Sequence, residues 1–296
     1  MTADLSGSEW VPGSESALYR QLCDAEPFFV FAGPCVVESE EHAMKMASTL
    51  QQIARAIDVP IVYKSSFDKA NRTALASHRG PGEAEGCRIL GRVRRDLGVA
   101  VITDIHEAAH AARVAPFVDV LQIPAFLCRQ TDLLVAAAVT GKVVNIKKGQ
   151  MVGPQAMVHA AHKVRESGNP NVFLCERGSM FGYTDLVVDY RNLVAMRAGA
   201  PVVQDVTHAV QQPGGLGAST GGLREYVPTI ARAAVAVGVK GLFFEVHDDP
   251  LNALSDGPNC WPVQHFQELL VELKAIAAVT RGRTNAVPDV HNLPKI

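Results

Sequence analysis

Apolar residues fall on consecutive positions in eight short stretches of the chain, at 28–32, 61–64, 100–103, 118–123, 143–147, 172–176, 202–206 and 241–246. A strand with one wet face alternates apolar and polar residues. Several of these do not, which is the pattern of strands covered on both sides, as in a parallel sheet. Between them the spacing turns helical, over 40–56, 82–97, 108–115, 130–140, 154–167, 190–198 and 223–237, and a last helix is predicted over 262–280. Eight strand–helix units in 296 residues predict an α/β fold of the closed (β/α)8 barrel type in preference to an open doubly wound sheet. The whole chain, 1–296, reads as one domain with its barrel core at about 27–282. Residues 1–26 read as a peripheral lead-in that caps or plugs the barrel bottom. The stretch from Arg281, with Pro288 and Pro294, reads as an irregular tail.

Composition narrows the picture. The chain is 48% hydrophobic and 20% charged, as soluble globular proteins are. A net charge of −2 offers no field for nucleic acid or an anionic membrane surface. Six cysteines are scattered, with no CxxC pair, which suits a reducing compartment better than a disulfide framework. Asp4 and Glu9 precede any apolar run, so neither a secretory signal nor a transit peptide is expected. No stretch is long and apolar enough to span a bilayer. A cytoplasmic protein is the expectation.

Barrel active sites sit at the C-terminal ends of the strands, and here those ends are where the chemistry collects. The eight stretches run into "AGPC", "KSSFDKANR", "TDIH", "QIP", "NIKK", "CERG", "DVTH" and "EVHDD". One subset is cationic: Lys64, Lys69, Arg72, Lys147, Lys148 and Arg177. Any one alone is an ordinary surface charge. Converging on one mouth, they suit a substrate with several negative groups, a phosphorylated sugar or phosphorylated carboxylate. A second subset resembles a ligand set. Strand eight pairs with strand one when a barrel closes, so Cys35, His208 and Glu245 are expected on adjacent rim positions, and Asp256, in the loop "LSDGPN" after strand eight, could swing in as a fourth ligand. Singly, Cys35 fills a core, His208 makes a structural hydrogen bond and Asp256 holds a turn. Jointly they form a mixed S/N/O site for a divalent ion such as Zn²⁺, Fe²⁺, Co²⁺ or Mn²⁺. The glycine-rich "QQPGGLGASTGG" (211–222) matches neither a P-loop nor a dinucleotide fingerprint, and reads as a mobile loop or a lid over the site.

The motifs "KSSFDKANRT", "RGPG", "QIPAFLCRQTDLL", "NIKKGQ", "CERGSMFGY" and "EVHDDP" together resemble the 3-deoxy-D-manno-octulosonate 8-phosphate synthases over about residues 27–282. The resemblance implies a barrel, a homotetramer, and condensation of phosphoenolpyruvate with D-arabinose 5-phosphate and water. It implies that Lys64, Ser66, Lys69, Gln122, Lys147 and Arg177 hold phosphoenolpyruvate, and that Asn71, Arg72 and Thr73 hold the sugar phosphate, Arg72 on its phosphate. Arg129 would reach toward a neighbouring subunit's site. His208, Asp256, Lys147 and Asn71 are the expected catalytic residues. Metal-independent members carry Asn where this chain has Cys35. With Cys35, His208, Glu245 and Asp256 the chain resembles the metal-dependent branch, although "DAEPFF" and "CERGSMFGY" look like plant-type members, many of which carry that Asn. The alternatives are the sister enzymes that use erythrose 4-phosphate, which usually show Lys-Pro-Arg-Thr where this chain has "KANRT", and a non-catalytic barrel that binds a phosphorylated metabolite.

Overall fold

The computed structural model of the chain describes residues 11–72, 74–182, 185–212 and 221–280. Eight parallel strands close into a barrel: β1 (Phe29–Gly33), β2 (Ile61–Lys64), β3 (Val101–Asp104), β4 (Val120–Ile123), β5 (Val143–Lys147), β6 (Val172–Glu176), β7 (Val202–Asp205) and β8 (Gly241–His247). Each pairs with the next, and β8 returns to pair with β1 in the register Phe29 to Gly241 through Gly33 to Glu245. The predicted (β/α)8 architecture is therefore the observed one.

A first helix, α1 (Ala17–Asp24), precedes the barrel. Eight more follow the strands in turn: α2 (Glu40–Ile57), α3 (Glu83–Leu97), α4 (Ala108–Val114), α5 (Thr131–Ala138), α6 (Pro154–Glu166), α7 (Tyr190–Met196), α8 (Val227–Val237) and α9 (Phe266–Thr280). Local chemistry sets their ends. The Ser39 hydroxyl accepts the His42 amide to cap α2, with Glu40 and Glu41 at the positive end of its dipole. Pro154 opens α6, where no intrahelical N–H is needed. The last helix begins four residues later than its spacing predicts. Trp261 and Pro262 instead form a short parallel bridge to Val246 and His247, and a 3-10 turn leads into α9. Two further features left no periodic signal: a hairpin of Ser179–Met180 with Leu186–Val187, and the pairing of Gln211–Gln212 with Gly221–Gly222. That second pair is the stem of the glycine-rich loop, whose residues 213–220 lie outside the described residues, as does the tail from 281. No helix among the described residues is long and apolar enough to cross a membrane.

The strand side chains split by parity. One set faces the helices, where Val30, Val101, Leu121, Val144, Leu174 and Leu242 pack with Leu50, Leu90, Leu134, Met157 and Leu270. The other set fills the barrel, and its lower storey is apolar: Phe29, Phe31, Val62, Ile102, Val120, Val143, Phe173, Val203 and Phe243. The lead-in closes this storey from below, as its position predicts. Tyr19 of α1 stacks 5.0 Å from Phe173, Leu22 is buried beside it, and Lys240 Nζ donates to Ala25 O at 2.9 Å. The barrel bottom is thus a dry plug, and the open end is the top.

Candidate active site

One step further along the same inward faces, six of the eight strands turn polar, while β1 reaches Gly33 and β6 Cys175. Lys64 stands above Val62, Asp104 above Ile102, Gln122 above Val120, Asn145 and Lys147 above Val143, Asp205 above Val203, and Glu245 above Phe243. All are buried, so each must find a partner. Gln122 Nε2 donates to Asp104 Oδ1 while its own Oε1 accepts from Asn145 Nδ2 at 2.9 Å. Ser66 Oγ donates to Asp104 Oδ2 at 2.8 Å. Lys147 Nζ donates to Asp205 and sits 3.4 Å over the Phe243 ring. A ring of charge therefore rests directly on the aromatic plug, where low polarisability strengthens each interaction.

Of the four predicted metal ligands, Cys35, Glu245 and Asp256 form one tight group, and His208 faces its two carboxylates. Register sets Gly33 against Glu245, so the chain two residues later brings Cys35 to the edge of that carboxylate. A Cβ on Gly33 would run into the Lys64 carbonyl, so only glycine lets β1 and β2 lie this close at the turn to Cys35. The Cys35 sulfur and oxygens of Glu245 and Asp256 all lie within 4.8 Å of one another. Cys35 Sγ is 2.7 Å from Ser255 Oγ and donates to Asp256 Oδ2 at 3.3 Å. His208 turns Nε2 to Glu245 Oε1 at 3.4 Å and Asp256 Oδ2 at 3.6 Å. Its Nδ1 lies 2.6 Å from Asp205 Oδ2, which fixes the ring and leaves Nε2 facing the cluster.

Electrostatics set the protonation of this cluster. Burial, then the facing Asp256 and Glu245 carboxylates, push the Cys35 thiol well above its ordinary range. Burial also pushes Glu245 upward, but His208, Lys64 and Lys69 outweigh it and hold the carboxyl below its usual value. For His208, burial opposes the charge while Asp205 and Glu245 favour it, and the net shift is upward. Lys64 Nζ donates to Cys35 O at 2.9 Å and to Glu245 Oε1 at 3.2 Å. Glu245 Oε2, by contrast, is buried with no hydrogen-bond partner. A spare buried oxygen beside a thiol, an imidazole and a second carboxylate is a donor set that fits a divalent ion.

Above this floor opens a cavity of about 1070 Å³, walled by six lysines and arginines against three carboxylates, and so suited to an anion. Lys64, Lys69, Asn71, Arg72, Gln122, Lys147 and Arg177 line it, with His208 and Asp256. Lys69 reaches Asp104 at 3.5 Å; burial works against its charge, but Cys35, Asp104 and Glu245 more than compensate and raise its pKa well above the ordinary value. Arg177 Nη2 donates to Gln211 at 2.7 Å, and its Nη1 is buried without a partner. Ser66 lies behind the wall, committed to Asp104. Thr73 is outside the described residues. Arg129 is exposed and off the cavity wall. Lys148 departs from its rim assignment. Its Nζ turns away to Gly178 O at 3.0 Å and Ser179 Oγ at 3.1 Å, and pairs with Glu176, tying β5 to the loop after β6.

Several residues of the site carry no prior assignment. Asp104 and Asp205 were visible as carboxylates ending apolar strands, a signal that marks the rim but not the partner. Ser255 belongs to a loop whose path has no periodicity to read, and Arg224 sits in the 3-10 turn at the start of the helix predicted over 223–237, where spacing does not reveal its partner. Arg224 Nη2 donates to Gly257 O and its Nε is buried and unpartnered.

The chain matches the model of the DAHP synthetase I family over residues 21–279. It is 58% identical over 276 residues to 2-dehydro-3-deoxyphosphooctonate aldolase 2 of Arabidopsis thaliana, covering 91% of this chain and 95% of that protein. It is 57% identical over 272 residues to the 2-dehydro-3-deoxyphosphooctonate aldolase of Pisum sativum, covering 90% and 94%. A bacterial protein of that name from Acidithiobacillus ferrooxidans is 54% identical over 269 residues, covering 89% and 96%.

Proposed function

The chain belongs to the DAHP synthetase I family, in company with the 2-dehydro-3-deoxyphosphooctonate aldolases, and from that premise we propose that it condenses phosphoenolpyruvate with D-arabinose 5-phosphate and water. The products are 3-deoxy-D-manno-octulosonate 8-phosphate and inorganic phosphate. What supports the reading most directly is a single cavity lined by Lys64, Lys69, Lys147, Arg177, His208 and Asp256, with Cys35 and Glu245 buried against that Asp256.

Lys147 and Arg177, from adjacent strands, present a point charge and a planar fork to the phosphate and carboxylate of phosphoenolpyruvate, with Lys64, Lys69, Gln122 and Ser66 completing that wall. Asn71, Arg72 and Thr73, on the loop after β2, hold the sugar phosphate so that its aldehyde points inward. C3 of phosphoenolpyruvate bonds to the aldehyde carbon, water adds at C2, and the C2–O bond breaks as phosphate leaves. The new alkoxide gains a proton and the water gives one up. Asp256 handles these protons on the carboxylate oxygen that is not turned to His208 and Cys35, while Asp205 fixes the His208 ring with Nε2 toward the cluster. A divalent ion bound by Cys35, His208, Glu245 and Asp256 would supply Lewis-acid polarisation of the aldehyde or the water. Zn²⁺, Fe²⁺, Mn²⁺ and Co²⁺ all suit that donor set.

Arg129, exposed beside the mouth, serves a neighbouring subunit in the homotetramer we expect. All six cysteines are free, which agrees with work in the reducing cytoplasm. The test is phosphate release from phosphoenolpyruvate with each sugar side by side. Release is expected with arabinose 5-phosphate; turnover with erythrose 4-phosphate in its place would overturn the assignment.

A further inference from the structure

Asp256 is one of two non-glycine residues with positive φ among the described residues, at 50°, in a loop that has no regular structure to support it. A carboxylate in that conformation stays put only if its neighbours over-determine it. Three anchors are present. Asn259 and Cys260 amides donate to Asp256 O at 2.9 and 3.1 Å, closing the turn behind it. Arg224, from the segment entering α8, donates to Gly257 O. On the other side, the Leu254 amide donates to Glu38 Oε1 at 2.9 Å.

Glu38 is the informative anchor because of where it comes from. It lies three residues after Cys35, on the same β1–α2 loop. Its Oε1 also takes His247 Nε2 at 3.1 Å. The Asp249 amide donates to His247 Nδ1 at 2.9 Å, so that nitrogen is an acceptor and Nε2 carries the proton Glu38 receives. One carboxylate oxygen therefore joins the loop bearing Cys35, the end of the strand bearing Glu245, and the loop bearing Ser255 and Asp256. The pKa of Glu38 agrees: burial raises it, but the His247 and Leu254 hydrogen bonds outweigh burial and keep the acceptor ionised.

We infer that Glu38 is a positioning residue that sets the spacing between Cys35, Glu245 and Asp256 by accepting the Leu254 amide and the His247 ring on one oxygen. It touches no reacting atom. Its effect runs through the geometry of the three residues it spans, and the inference rests on the metal-site reading only for its most sensitive readout.

Reach and charge separate cleanly in three variants. Glu38→Gln keeps an oxygen at the same reach and loses the charge. Glu38→Asp keeps the charge and falls a methylene short. Glu38→Ala removes the acceptor. Each is titrated with Co²⁺, following the near-ultraviolet thiolate-to-cobalt band, and each is assayed for kcat and KM. Amide exchange at Leu254 is read on the same proteins without metal. Glu38→Ala and Glu38→Asp are expected to bind Co²⁺ about 10- to 100-fold more weakly. Both should lose kcat with little change in KM for phosphoenolpyruvate, and should exchange Leu254 faster. Glu38→Gln is expected to stay near wild type in all three. Glu38→Ala binding Co²⁺ as wild type does, or Glu38→Asp intact with Glu38→Gln impaired, would overturn the inference. A wild-type chain that gives no cobalt band sinks the metal reading instead. Leu254 exchange then decides for Glu38: unchanged protection in Glu38→Ala and Glu38→Asp overturns the inference, faster exchange upholds it.

Discussion

Asp205 Oδ2 lies 2.6 Å from His208 Nδ1, and the same oxygen receives Lys147 Nζ, so one buried carboxylate orients both an imidazole and an ammonium of the site. Burial alone would raise the Asp205 carboxyl, yet the charges of His208 and Lys147 hold it far below its usual range. Asp205→Asn leaves Lys147 buried beside a neutral group and frees the His208 ring. We expect it to cost about 3–5 kcal/mol of stability, the penalty for breaking a buried ion pair from one side. Urea unfolding measures that loss; a change below 1 kcal/mol, on the order of a surface pair, would contradict the assigned role.

Metal dependence has a direct reading. Extended treatment with a strong chelator is expected to abolish turnover, and adding Mn²⁺, Co²⁺ or Zn²⁺ to restore it. Full activity in metal-stripped protein would remove the ion from the mechanism. In Cys35→Asn the amide replaces the sulfur with a weaker ligand, so activity should fall or become the same with and without added ion.

Gly33→Ala tests the turn that delivers Cys35. The added methyl meets the Lys64 carbonyl, which belongs to the neighbouring strand and has no free side chain to move. Overpacking of this kind costs about 1–3 kcal/mol. Because relief requires β1 and β2 to separate, activity should drop by a larger factor than Tm predicts. Thermal melts and kcat measured together distinguish this from simple destabilisation.

Tyr19→Ala addresses the opposite end. Tyr19 is buried against Phe173 and its hydroxyl lies 3.3 Å from Val172 O. Its loss should cost about 3 kcal/mol, as large-to-small aromatic changes do. Since α1 touches none of the cavity wall, KM for both substrates should stay within twofold of wild type.

The barrel and its rim were legible because periodicity and topology are written in every strand. Apolar runs carrying Lys64, Asp104, Gln122, Lys147, Asp205 and Glu245 at their ends repeat one message in six of the eight strands, and closure of strand eight on strand one then makes neighbours of Cys35 and Glu245. The partners within the rim were not legible. Nothing in sequence pairs Asp205 with Lys147, or turns Lys148 outward to Gly178 while Lys147 points inward; that follows from strand parity at a single position. Glu38 and Ser255 were hidden for another reason. They act from loops, where contacts depend on a path set by the whole fold. The motif "EVHDDP" drew the eye to Glu245, but the partner of its histidine lies more than two hundred residues away.

The aromatic plug under the charged ring has a kinetic consequence. With Phe29, Phe31, Phe173 and Phe243 filling the lower barrel and α1 packed beneath it, the cavity is closed at the bottom among the described residues. Lys64, Lys147 and Arg177 are more deeply buried than Asn71 and Arg72, so in the proposed reaction the ligand of the inner cations is expected to enter before the one held by the outer loop. Ordered binding, with the ligand of the inner cations first, is the kinetic pattern such walls predict for the proposed reaction.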